Sequence, residues 1–358
     1  MKIVIDARFT RTDHHDGISR YGASLIAATA KIADVSMLIS DPRQLALLPD
    51  VPYTLISSPL SPLELFVARK VNAVGADVVV CPMQTMGTWG RKYGLILTLH
   101  DLIYYEHPAP PGFLPAPVRL LWRLYHKAFW PQRLLLNRAD TVATISRTTE
   151  ALMAKYRLTR RPVRIIANAP QPAQEPRDPR EGADKTIIYM GSFMPYKNVE
   201  TMVAGMAGLT GYTLHLLSRI TPQRKSELET LVPPGASVVF HNGVTDEEYD
   251  ALLRRATALV SLSRAEGYGL PLVEAMAVGT PVIASDIPIF REVGGDAALY
   301  VDAESPAQFA DAVGQLQDGA HWQDLSGRSV ARAAQFSWDE SARQLVDAAH
   351  EVMAKRRR

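Results

Sequence analysis

Short apolar runs rich in Val, Ile and Leu alternate along this chain with longer stretches whose apolar residues recur at helical spacing. Residues 2–5, 77–81, 95–99 and 141–145 form the first group of runs. Their continuous apolar character fits strands buried on both faces of a parallel sheet. Helical patterns over 22–33, 62–74 and 117–136 lie between them. Four prolines then crowd the segment NAPQPAQEPRDPREGAD, which breaks the periodicity and reads as a linker. Strand-like runs restart at 186–190, 213–217, 237–240, 258–262 and 281–284, with helical patterns at 199–207, 222–231 and 246–256. A final helix is expected from Ser337, with Asp339 and Glu340 in its first turn.

Alternation of strand and helix over the whole chain predicts an α/β protein of two Rossmann-like, doubly wound domains facing a cleft. The expected boundaries are 1–170 for the first domain, 171–184 for the linker and 185–336 for the second, with residues 337–358 as the last element. A length of 358 residues fits two domains better than one. Composition narrows the classes further. A formal net charge of +2 gives no reason to expect nucleic acid as a partner. Cys81 is the only cysteine, so neither a disulfide framework nor a cysteine metal site is expected. The apolar run in MKIVIDARF is too short for a signal peptide, and no uncharged apolar stretch is long enough to span a bilayer. A cytoplasmic location is therefore expected.

The densest chemistry lies in SLSRAEGYGLPLVEAMAVGTPV, residues 261–282. Glu266 and Glu274 are separated by Gly267, Gly269, Leu270 and Pro271. Glycines let a ligand approach the backbone. Pro271 suits the first position of a helix, and Gly279 suits the position just past its end. Free amides at such a helix start bind phosphate, and a carboxylate one turn in accepts bonds from hydroxyls. Phosphate and hydroxyls on one ligand point to a nucleotide or nucleotide sugar. Read alone, the two glutamates could also be an acid–base pair.

SRAEGYGLPLVEAMAVGTPVIASD resembles the Glu-x7-Glu motif of the family-four retaining glycosyltransferases of the GT-B fold. The flanks VTDEEYDALLRRATALVSLS and IPIFREVGGDAALYVDAES agree. So do DGISRYGASL, LTLHDLIYYEHP, VATISRTTEALMAKY and FSWDESARQL elsewhere. The resemblance implies that 1–170 is an acceptor domain on which residues 337–358 pack back, and that 185–336 is the nucleotide-sugar donor domain. It implies that Glu266 lies near the donor sugar and that Glu274 holds the ribose hydroxyls. It implies that amides around Gly267, Gly269 and Leu270 meet the diphosphate, and that Lys197 neutralises the leaving diphosphate. His100 is implied as a strand-end group donating to a sugar hydroxyl or phosphate. Asp16 and Gly17 are implied as a first-domain loop near the donor phosphate. One departure stands out: relatives commonly pair the lysine with an arginine, and here Ser192 and Tyr196 occupy those places. Ser192 is kept with the donor-binding residues, and Arg219 or Arg264 could supply the missing charge.

The expected activity is metal-independent, retaining transfer of a hexose to a glycan or lipid-linked saccharide, in polysaccharide or glycolipid biosynthesis. The mannosyltransferase-like details make GDP-mannose the first donor and a UDP-sugar the second; no cofactor is expected. No Asp-x-Asp occurs, and no Gly-x-Gly-x-x-Gly follows the first strand, which disfavours metal-dependent transfer and nicotinamide chemistry. The alternatives are a sugar-phosphate synthase on the same scaffold, a degenerate glycan-binding relative, and an α/β epimerase or dehydrogenase. Finally, Trp122, Phe129 and Trp130 share residues 113–135 with Arg119, Arg123, Lys127 and Arg133. Such an aromatic and basic helix suits the anionic inner face of a membrane. A core helix with arginines snorkelling outward is the plain alternative.

Overall fold

A computed structural model describes residues 1–110, 115–171 and 175–357. The chain divides into two compact units: 1–168 with 337–358, and 169–336. Each is a wholly parallel α/β sheet.

The first unit has seven strands: β1 (Lys2–Asp6), β2 (Asp34–Ile39), β3 (Tyr53–Leu55), β4 (Val78–Cys81), β5 (Gly94–Leu99), β6 (Thr141–Thr144) and β7 (Val163–Ile165). Their order is β3-β2-β1-β4-β5-β6-β7. Every residue of β4, β5 and β6 is buried, which is why these strands read as unbroken apolar runs. Parallel pairing puts all their carboxyl ends at one edge, where ligands of such sheets sit. The second unit repeats the design with β8 (Asp184–Tyr189), β9 (Thr213–Leu216), β10 (Ser237–Phe240), β11 (Ala256–Ser261), β12 (Val282–Ser285) and β13 (Ala298–Val301), ordered β10-β9-β8-β11-β12-β13.

The final helix, Trp338–Arg356, is capped by Ser337 and belongs to the first unit. Its Ser341 hydroxyl donates to the Ala167 carbonyl at 2.7 Å, and Trp338 meets Tyr21 edge-on. Val352 packs so closely on Gly94 that a Cβ there would lie 2.4 Å from its methyl group. Glycine at the start of β5 is thus the condition for this helix to dock.

Three expectations change. The helix after β1 begins at Gly17, not residue 22, because the Asp16 carboxylate accepts the Ser19 amide at 2.9 Å and starts it early. The single helix expected over 117–136 is two helices, Ala116–Tyr125 and Trp130–Leu136. The first helix closes at His126, whose amide donates to the Trp122 carbonyl, and Pro131 falls in the first turn of the second, where its missing amide hydrogen costs nothing. Residues 113 and 114 of the proposed membrane segment, and 172–174 of the expected linker, lie outside the described residues. The aromatic face is also different: Trp122 packs edge-on against Tyr104, and Phe129 stacks between Tyr105 and Tyr156. These rings are internal packing, whereas Leu120, Leu121, Leu124, Trp130 and Leu134 are exposed.

Candidate active site

In the second unit, the chain leaves β11 and turns through Ser263–Gly269 into the helix Leu270–Ala277. Gly269 caps that helix at φ +95°, and a Cβ there would lie 2.9 Å from the Phe290 ring. Both the backbone region and the close neighbour demand glycine. Leu270 is the first helical residue and Pro271 the second, so the proline stands one place later than expected. The far end closes as expected: Gly279, at φ +81°, donates to the Met276 carbonyl, and Thr280 donates to that of Ala275. Glu274 lies one turn into the helix and is half-buried.

Glu266 is not isolated. Its carboxylate is ion-paired with the Lys197 ammonium, each side chain 14% exposed, and accepts the Ser263 hydroxyl at 3.0 Å. Two loops cooperate to hold this pair. The 195–198 turn ends at Asn198 in left-handed backbone, which Asn tolerates better than most residues. The buried Asn198 amide donates to the carbonyls of Leu262 and Ala303. Across the same gap, the Arg264 amide donates to the Tyr196 carbonyl at 2.7 Å and its guanidinium to that of Pro195. Lys197 is therefore fixed by groups other than its own charge. Asn198 was missed in the sequence; its one signal was an Asn directly after the lysine and before a helical run.

Of the two arginines considered as substitutes, Arg264 is spoken for: it forms a two-point ion pair with Glu304, at 2.5 and 2.8 Å. Arg219 differs. It is exposed, follows β9, and has no hydrogen-bond or ion-pair partner among the described residues. Its neighbour Ser218 accepts the Gly191 amide at 3.0 Å, so Arg219 stands beside the loop after β8. Ser192 in that loop is exposed, and its carbonyl accepts the Tyr189 hydroxyl at 2.6 Å.

The first unit carries the remaining candidates at the carboxyl edge of its sheet. His100 follows β5, and its Nε2 donates to the Pro82 carbonyl at 2.7 Å. Its ring meets Tyr21 edge-on at 5.0 Å. Burial lowers the imidazole pKa, more than the bond to Pro82 raises it. A neutral ring that donates from Nε2 carries a lone pair on Nδ1. With Nε2 committed to Pro82, Nδ1 is the ring nitrogen left to meet a ligand. Asp16 caps its helix and also pairs with Arg11 at 2.7 Å. Gly17, the first helical residue, is exposed, with open space where a Cβ would stand.

One buried cluster escaped the sequence reading. Arg8 forms a two-point pair with Asp6 at 2.8 Å and reaches Glu64 at 2.6 Å. Burial alone would lower the Arg8 pKa, but Asp6 and Glu64 outweigh it and raise it. The Gly87 amide also donates to Glu64. One guanidinium serves both carboxylates and the Gly87 amide supports Glu64, so the cluster ties the end of β1 to residues 64 and 87 rather than presenting a free cation. Among the described residues, no group of three or more His, Cys, Asp or Glu is placed to hold a metal ion.

Two parallel α/β sheets, one bearing a glycine-started helix with a paired Lys–Glu at its mouth, are the architecture of the GT-B glycosyltransferases. The family profiles agree: Glycosyltransferase Family 4 matches residues 35–172, and Glycosyl transferases group 1 matches residues 171–324. The chain belongs to the family-four, group 1 glycosyltransferases, and it is a hexosyltransferase. It is 24% identical to the O-antigen chain mannosyltransferase RfbU of Salmonella typhimurium, over 84% of this chain and 87% of that one. It is 32% identical to O-antigen chain mannosyltransferase B of Escherichia coli, over 45% of this chain and 44% of that one. Among solved structures, Anabaena HepE in complex with UDP and glucose superposes with a TM-score of 0.74. That match has 16% identity and covers 98% of this chain and all of that one, so it speaks to the fold.

Proposed function

We propose that this glycosyltransferase acts with retention and without a metal, moving mannose from GDP-mannose to a glycan or lipid-linked saccharide acceptor. A UDP-sugar is the second choice of donor. The similarity to an O-antigen chain mannosyltransferase over 84% of this chain supports the sugar, and the UDP-bound structural neighbour supports a nucleotide-sugar donor in general. The observation that carries the reading is the Lys197–Glu266 pair beside the helix that begins at Leu270. In this scheme, the amides after Gly269 and the Lys197 ammonium receive the leaving diphosphate as the glycosidic bond breaks. Glu274 takes the ribose hydroxyls, Glu266 lies at the sugar, and the Nδ1 lone pair of His100 accepts a sugar hydroxyl. Asp16, Gly17 and Ser192 line the donor side. The departing diphosphate takes the acceptor proton, so no protein base is required. No helix among the described residues is long and apolar enough to cross a membrane. We place the enzyme in the cytoplasm, docked on the inner membrane face through residues 115–135, where Leu120, Leu121 and Leu124 are exposed.

A thermal-shift screen against UDP, GDP, ADP and their sugars tests the donor. A ligand at a hundred times its Kd adds ~2.7 kcal/mol of stability, a plainly measurable shift. GDP and GDP-mannose should give the largest shifts in the native protein. Glu274→Ala should reduce the shift and lower turnover by about a hundredfold, as for loss of one oriented polar group. A native protein stabilised by none of these nucleotides would sink the proposal.

A further inference from the structure

An open pocket of about 1050 Å³ lies in the first unit between the helix Trp130–Leu136 and the loop 157–161. Arg133, Arg138, Arg157, Arg160 and Arg161 line it, and no carboxylate does. All five are exposed, and none is ion-paired to an acid. Two of them organise the pocket: Arg133 donates to the carbonyls of Tyr156 and Arg157, and Arg161 donates twice to that of Asn137. Arg138, Arg157 and Arg160 have no side-chain partner among the described residues.

Arg157 adds an independent observation. It stands just past the end of the helix Arg147–Lys155, at φ 50°. The amides of Arg157 and Leu158 close that helix on the carbonyls of Ala154 and Met153. This is the six-residue closure that glycine ordinarily serves, because a side chain is disfavoured in left-handed backbone. An arginine here keeps its guanidinium in the pocket against a local conformational preference. Residue choices that oppose local preference are expected where function requires them.

The position is informative. Residues 137–140 lead into β6, and 157–162 lead into β7, so the pocket opens at the amino edge of the sheet. His100 lies at the opposite, carboxyl edge. The pocket is therefore not part of the donor site. Unmatched arginines call for an anion, and their fork geometry suits phosphate. Trp130, 66% exposed, and Leu134, 52% exposed, stand on the same rim. An apolar rim around a cationic floor fits a phosphate headgroup still attached to its bilayer better than a fully hydrated polyanion.

We propose that this pocket is a seat for the phosphate headgroup of an anionic membrane lipid. It deepens the membrane contact suggested above, by giving it a defined phosphate site outside the leucine-bearing helix. It is independent of the transfer chemistry, because the pocket lies at the other edge of the sheet.

The test is sedimentation of the full chain with vesicles of phosphatidylglycerol in phosphatidylcholine, against phosphatidylcholine alone. Each arginine near an anionic surface contributes about 1 kcal/mol, so Arg138→Ala with Arg160→Ala should weaken partitioning about thirtyfold. Arg157→Gly should weaken it about fivefold, yet melt at the native temperature or higher, because glycine relieves the left-handed residue. That combination separates a ligand role from a folding role. Transfer to a soluble acceptor should be unchanged in all three substitutions, which keeps failure here distinct from failure of the donor reading. Native-like vesicle binding by the double variant would overturn the assignment. So would competition by dilute soluble glycerol phosphate, which would place the ligand in solution. Tighter binding to an RNA duplex than to vesicles would overturn it too.

Discussion

Replacing Lys197 by alanine perturbs two things that can be measured apart. The ammonium and Glu266 are each 14% exposed, so the pair lies between the surface and the core. An exposed ion pair contributes up to ~1 kcal/mol, and breaking a fully buried one costs ~3–5 kcal/mol. The remaining solvent contact, and the Ser263 hydroxyl that still donates to Glu266, place this loss near the lower figure. Loss of transition-state stabilisation should be larger, about a hundredfold to a thousandfold in kcat, or ~2.7–4 kcal/mol. The adjoining loops should hold, because Asn198 and Arg264 pin them without help from the lysine. The assay is turnover at saturating donor, paired with thermal melting, for Lys197→Ala, Glu266→Ala and the double variant. The double variant measures the coupling of the pair in stability; its turnover is low in either case, because Glu266 is also placed at the sugar. If the pair only staples two loops, turnover of Lys197→Ala should fall only in step with its melting temperature; if Lys197 receives the departing diphosphate, kcat should fall far beyond that. Lys197→Arg should keep a charge but rescue little, since its planar fork cannot occupy the same point. Near-native turnover by Lys197→Ala would refute the reasoning outright.

Two further outcomes follow from the neighbouring geometry. Arg219→Ala should raise the donor KM about tenfold, the loss of a charged hydrogen bond of ~1.5 kcal/mol. Arg264→Ala should instead lower the melting temperature, because its guanidinium is committed to Glu304 and Pro195; equal KM effects from both would contradict the distinction. Stability should also fall as pH drops below 6.5. Burial depresses the pKa of His100, His126 and His215 from that ordinary value. The unfolded chain then binds protons that the folded chain refuses, so stability is full above 6.5 and declines through the window beneath it. Urea unfolding on either side of that pH checks the sign, and His100→Phe should flatten part of the slope.

What could be read from residues alone was what local chemistry writes into consecutive positions. Strands β4, β5, β6 and β11 are buried throughout, so their apolar runs were visible. The Leu270–Ala277 helix announced its far end, because left-handed backbone at Gly279 demands glycine, whereas Pro271 marked its start one place late. Strands β3 and β7 were not visible: each is three residues long and wholly buried at none of them. Strand β13 is half-exposed in the middle and offers no alternation either. The second helix start at Pro131 was legible in principle, but the apolar repeat on both sides of residues 126–129 hid the break. At the site, both members of the Lys197–Glu266 pair were identifiable, yet their pairing spans 69 positions and has no local signature. The same holds for Arg8 with Glu64, 56 positions apart. Tautomers are beyond sequence altogether: only the Pro82 carbonyl reveals which nitrogen of His100 keeps its proton.

The pairing at the site bears on how a donor would be received. Without ligand, the Lys197 charge is already answered by Glu266, so an arriving diphosphate meets a neutral pair and not a bare cation. Coulomb attraction alone then gives little discrimination between a nucleotide diphosphate and any other anion. Selectivity would rest on groups whose partners are geometric: the amides behind Gly269, and Glu274 for the ribose. In the proposed scheme, phosphate would draw the ammonium away, and Glu266 would keep the Ser263 hydroxyl and become free to accept from the sugar. The two events are coupled, because one carboxylate cannot hold both partners equally. A donor lacking either its diphosphate or its sugar would leave one half of the exchange unsatisfied. Binding energy would therefore be realised in full only when both are present, which is the condition for spending it on transfer and not on tight retention of the product nucleotide.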